Sequence, residues 1–76
     1  MQWIIRDIPL GHNIQKLRKR QGLTQEQLVA KMQVCGSGIS RSTLANIEAG
    51  ARNVKASDLK LMKKLLKAEY EEFFKE

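Results

Sequence analysis

Three polar side chains in one short stretch, Arg41, Ser42 and Asn46, are the residues of this 76-residue chain best placed to do chemistry. That chemistry is hydrogen bonding, not bond breaking. Ser37, Ser40 and Ser42 have no histidine or lysine base positioned to activate a hydroxyl, so no catalytic constellation emerges and the chain reads as a non-enzyme. Cys35 is the single cysteine, which excludes an internal disulfide and argues against a zinc site. No flanking cation favours a redox role for it. His12 stands alone, without Cys, Asp or Glu at ligand spacing, and reads as a solvated residue at a helix start. No metal and no cofactor are expected. Arg41 offers a planar donor fork that suits the O6 and N7 acceptors of guanine, which makes a base edge a natural target.

Those residues need a scaffold, and two consecutive helix signals supply it. Thr24 and Gln27 form a T-x-x-Q capping box, in which each side chain satisfies a backbone donor left unpaired at a helix start. After a short gap, Ser40 is the cap of a second helix and Gly50 its stop. Two short helices joined by a turn, the second exposing Arg, Ser and Asn, are the parts that place a helix in a DNA major groove. At about 100° of rotation per residue, Ser42, Asn46 and Ala49 fall within about 40° of the pole opposite Leu44, whereas Ile47 lies on Leu44's side. The outward face is therefore polar and, with Ala45 and Ala49, slim enough for close approach to a groove.

The remaining elements read as helices too, which predicts an all-α fold. A first helix starts near Pro9 and runs to about Gln21, with Ile14 and Leu17 inward and Gly22 ending it. The capping box opens a second, over about 24–33, that buries Leu28, Val29 and Met32. The third covers 41–49. A fourth starts near Ala56 or Asp58 and aligns Leu59, Met62, Leu65 and Leu66. A last turn or two over 69–75 carries Tyr70, Phe73 and Phe74. Helices this short are marginal alone and must be held by mutual packing.

Composition narrows the partner. Fourteen Lys and Arg against eight Asp and Glu give a formal charge of +6 and a pI near 9.8, which favours an anionic partner such as nucleic acid or a membrane surface. No apolar run approaches the roughly 18 residues of a spanning helix, and Trp3-Ile4-Ile5 is too short for a secretion signal, so a cytoplasmic protein without a membrane partner is expected. With two Phe, one Tyr and one Trp, stacking platforms for single-stranded nucleic acid are poorly supplied.

The chain resembles the Cro/CI-type (Xre-type) helix-turn-helix family of phage and bacterial repressors. The residues that carry the likeness are Asn13-Ile14 with Lys16-Leu17-Arg18, Gly22-Leu23-Thr24-Gln25 with Leu28, Ile39-Ser40 leading to Ile47-Glu48-Ala49-Gly50, Arg52-Asn53, and a closing Ala68-Glu69-Tyr70-Glu71-Glu72-Phe73-Phe74. The resemblance implies a five-helix repressor-type bundle, over residues 9–76, that binds double-stranded operator DNA, commonly as a homodimer on a two-fold site. It implies base contacts from Arg41, Ser42 and Asn46. Backbone contacts would come from Gln25, Thr43, Arg52 and Asn53, joined by Lys55. It also implies an internal ion pair between Arg18 and Glu48.

Three departures qualify the likeness. The connection 33–38 is about five residues longer than the family's tight turn, so the angle between the second and third helices can differ or the second helix can extend. Val54 stands where many members have Pro. Lys55 stands where a capping Ser or Thr is common, which points to Ser57 as the cap of a fourth helix that starts later. Residues 1–8 form an N-terminal extension whose Trp3, Ile4 and Ile5 either fold back on the domain or build a subunit interface. The reading that results is a sequence-specific transcriptional regulator, a repressor, that binds an inverted repeat as a dimer. The alternative is an antitoxin or repressor-partner module that acts mainly by binding protein.

Overall fold

The computed structural model describes residues 9–76. The extension 1–8, with Trp3, Ile4 and Ile5, lies outside the described residues. Among the described residues five helices follow one another: α1 (Leu10–Arg20), α2 (Gln25–Val34), α3 (Arg41–Glu48), α4 (Ala56–Leu65) and α5 (Tyr70–Phe73). The fold is all-α. α1 packs on α3 and α5, and α2 packs on α3 and α4. Ile14 and Leu17 of α1, Leu28, Val29 and Met32 of α2, Leu44 and Ile47 of α3, and Met62 with Leu66 meet in one core. Phe73 joins that core and is fully buried. Of the fourth helix's stripe, Leu59 and Leu65 are only half-buried against its edge.

Four of the five helices end in the same way. In α1 to α4 the second residue beyond the helix has positive φ: Gly22 (72°), Gly36 (97°), Gly50 (79°) and Lys67 (53°). In each the amide after it bonds back to a carbonyl in the last turn, as Leu23 N–H does to Arg18 O and Ser37 N–H to Met32 O. This reversal satisfies carbonyls that a helix end leaves unpaired. Glycine enters the left-handed conformation freely, and Lys67 does so at a cost.

The starts are equally defined in α2 and α3. Thr24 Oγ1 accepts from Gln27 N–H at 3.1 Å while Gln27 Oε1 accepts from Thr24 N–H at 2.8 Å, the full capping box. Ser40 Oγ accepts from Thr43 N–H at 3.1 Å. The expected Ser57 cap is corrected by the structure. α4 begins at Ala56 with Lys55 at the cap position, and no side chain caps it. The reason is packing: Val54 is half-buried against the core and brings the chain into the helix early, and Leu59 N–H bonds to Lys55 O at 2.9 Å.

Long-range polar contacts seat α5. The buried Asn13 amide of α1 donates to Phe73 O at 2.8 Å and Lys75 O at 2.7 Å, which holds two carbonyls at the end of the chain. At the other end of α1, Arg20 Nη1 donates to Glu72 Oε1 at 2.6 Å, and Glu69 N–H to Glu72 Oε2 at 2.9 Å. The hydrogen bond from Arg20 and the Glu69 amide hold the Glu72 carboxyl below its ordinary value of 4.5.

Candidate nucleic-acid interface

α3 is eight residues long and its two faces are sharply different. Leu44, Ile47 and Glu48 are buried, while Arg41, Ser42, Asn46 and Ala49 are exposed. The outward face is the slim polar surface that helical periodicity predicts. Its backbone comes so close to α1 that a Cβ placed on Gly11 would sit 2.0 Å from Ile47 O. No side chain fits between the two helices at that point.

The buried face is pinned by an ion pair. Arg18 Nε donates to Glu48 Oε2 at 2.7 Å and Nη2 to Glu48 Oε1 at 2.9 Å, and Nη1 reaches Leu23 O at 2.8 Å. The two side chains are 8% and 2% exposed. Both ends of the fork are therefore used, and α1, the start of α2 and the end of α3 are tied at one place. Glu48 Oε1 also accepts from Gln25 Nε2 at 3.1 Å. That contact takes one of the two amide protons of Gln25 and leaves the other for an outside acceptor.

Arg41 stands at the first turn of α3, and it lines the same open cleft of about 480 Å³ as Gln25, Thr24 and Lys19. The start of α2 and the start of α3 thus share one edge. In the first turn of α3 the Thr43 hydroxyl lies 2.9 Å from Ser40 Oγ. Asn46 lies one turn beyond Ser42 on the exposed face. Arg52, Asn53 and Lys55 are exposed on the segment between α3 and α4. Arg52 and Asn53 border a second groove, of about 540 Å³, formed with the start of α1. Among the described residues, Arg41, Arg52 and Lys55 have no acidic partner, whereas Arg18, Arg20 and Lys63 are paired with Glu48, Glu72 and Glu69. Arg41, Arg52 and Lys55 are therefore available to an external anion. Of them Arg41 lies beside the first turns of α2 and α3, in the cleft that also holds Glu26.

His12 and Cys35 are both at least partly exposed, and no cluster of metal-ligating side chains exists among the described residues. No helix among the described residues is long and apolar enough to cross a membrane. Sequence reasoning missed the two side chains that shape the α2–α3 connection. Gln33 Nε2 donates to Ile39 O at 2.9 Å, and Ser37 Oγ accepts from Ile39 N–H at 3.1 Å while donating to Asp58 Oδ1 at 2.8 Å. The signal available was weak: a serine inside a glycine-rich turn is a common turn residue, and its partner lies 21 positions away.

No curated protein and no solved structure matches the chain. A family does: residues 9–73 match the helix-turn-helix domain, a match that spans all five helices. With two capped helices joined by a turn and the second presenting a bare polar face, the chain belongs to the helix-turn-helix domain family, in the Cro/Xre-type group of DNA-binding regulators.

Proposed function

We propose that this protein is a cytoplasmic transcriptional repressor that binds a short inverted repeat in double-stranded DNA as a homodimer. The observation that carries the reading is the contrast across α3, where the large apolar side chains are locked inward and Arg41, Ser42 and Asn46 are left outward. In this reading α3 enters the major groove, and those three residues meet base edges. Gln25, Thr43, Arg52, Asn53 and Lys55 hold the phosphate backbone around it, which fixes register without reading sequence. The formal charge of +6 supports salt-dependent neutralisation of phosphates. Tyr70 and Phe74, exposed by 42% and 41%, are apolar surface available to a second copy or to another protein.

Selection of bound sites from random duplex DNA tests the reading, and the selected sites should be inverted repeats. Arg41→Ala should then weaken binding to the preferred site by about 1–3 kcal/mol, with much less effect on random duplex and discrimination reduced mainly at one base pair per half-site. Equal weakening on both would make Arg41 a phosphate contact and pass base reading to Ser42 and Asn46. Failure to select any duplex would favour the protein-binding reading.

A further inference from the structure

We propose that Ser37 and Asp58 are a positioning pair that sets the angle of α3 against α2 and thereby the sharpness with which the protein discriminates its DNA site. The inference rests on the reading of α3 as the helix that meets DNA. The six residues 35–40 join α2 to α3, and a glycine-rich segment of that length is free to adopt many paths. In this protein the path is held on both sides of Gly38. Gly36, with φ 97°, turns the chain, and Ser37 N–H bonds back to Met32 O at 3.0 Å. The Ser37 hydroxyl then takes Ile39 N–H and gives its own proton to Asp58. Gln33 takes the other backbone group of Ile39, its carbonyl. Ile39 is 4% exposed in the core, and the next residue, Ser40, caps α3.

Asp58 lies in the first turn of α4, which packs on α2. The hydroxyl of Ser37 is thus the link that refers the start of α3 to α4 instead of leaving it to the turn. The lever is short but sufficient. α3 spans roughly 12 Å and is pinned at its far end by Arg18 and Glu48, so a swing of about 5° moves its first turn, with Arg41 and Ser42, by about 1 Å. Hydrogen bonds to base edges weaken steeply over such a displacement, whereas flexible contacts to phosphates follow it.

The test measures affinity for a site selected by the wild-type protein and for random duplex, with Ser37→Ala, Asp58→Ala, the double variant and Asp58→Asn. Asp58→Ala and Asp58→Asn remove the same charge, and the asparagine keeps an accepting Oδ1. The expected result is a roughly tenfold fall in the specific-to-random ratio for each alanine variant, comparable to forfeiting the hydrogen bonds to a single base. The double variant should fall no further than either single one, and Asp58→Asn should lie near wild type. Ser37→Ala, which changes no charge, should bind random duplex as wild type does. Unchanged ratios in both alanine variants, or equal weakening on both DNAs in step with a lowered melting temperature, would overturn the pair. A wild-type protein that selects no sequence would overturn the reading of α3 itself, which is a different result.

Discussion

Glu48→Ala removes one carboxylate and leaves a buried guanidinium with two of its donors unmatched. Arg18 is 8% exposed, so water cannot replace the missing acceptors at Nε and Nη2. Breaking a buried pair by deleting one partner costs about 3–5 kcal/mol, because the charge left behind is uncompensated. A domain of this size has a total stability of about 4–11 kcal/mol. The variant should therefore retain only a small margin, and its melting temperature should fall by at least about 12 °C at about 4 °C or more per kcal/mol. Thermal and urea unfolding followed by circular dichroism reads the change. A companion variant, Arg18→Met with Glu48→Leu, keeps the volume and removes both charges, and it should recover most of the stability. A drop below about 4 °C for Glu48→Ala would refute the reasoning, since an exposed pair contributes about 1 kcal/mol or less.

Arg52→Ala should weaken binding to all duplexes alike and flatten the log–log salt dependence by about 0.9, the contribution of one phosphate, and an unchanged slope would remove Arg52 from the footprint. Lys67→Gly relieves the one left-handed non-glycine residue among the described residues, and should stabilise the protein by about 0.5–1 kcal/mol in urea titrations after the extra freedom of the unfolded glycine is subtracted. Glu72 has a lowered pKa in the fold because Arg20 and the Glu69 amide bond to its carboxylate, so its contribution is complete above the ordinary value of 4.5 and is lost as pH falls through the lowered one. The gap in melting temperature between wild type and Glu72→Gln should accordingly close as pH falls below 4.5, and a gap that stays constant would show that the Arg20 contact contributes nothing.

The parts of the fold that sequence discloses are those decided by neighbours in the chain. Thr24 with Gln27, Ser40 with Thr43, and the stops at Gly22 and Gly50 all involve residues within one turn of each other. Ser57 shows the limit of such reasoning. It is the better cap by type, yet Val54 docks on the core and starts α4 at Ala56 instead. Lys67 shows the same limit at a helix end, where the buried Ala68 that follows it demands the left-handed turn although no glycine announces it. Asn13 donates to carbonyls 60 and 62 positions away, and Ser37 to a carboxylate 21 positions away. Nothing local distinguishes these side chains from solvated ones. The pair of Arg18 and Glu48 is accessible through family likeness, and the helical period agrees with it, since Glu48 falls about 40° from Leu44 on the buried side of α3.

A helix of eight residues cannot hold its own conformation in water, so the orientation of α3 has to come from what surrounds it. Its beginning is set by the Ser40 cap and the clamped Ile39. Its end is set by Glu48 in the grip of Arg18 and by the backbone of Gly11 pressed on Ile47. Every one of these restraints acts on the inner face or the ends. The outer face is thereby released from any part in folding, which is why residues as small as Ser42, Ala45 and Ala49 can occupy it, and why Asn46 stands there with no partner of its own among the described residues. A surface relieved of structural work is free to vary, while Arg18, Glu48 and Gly11 are not. In this fold, then, the residues that hold α3 and the residues it leaves exposed lie on the two sides of one short helix.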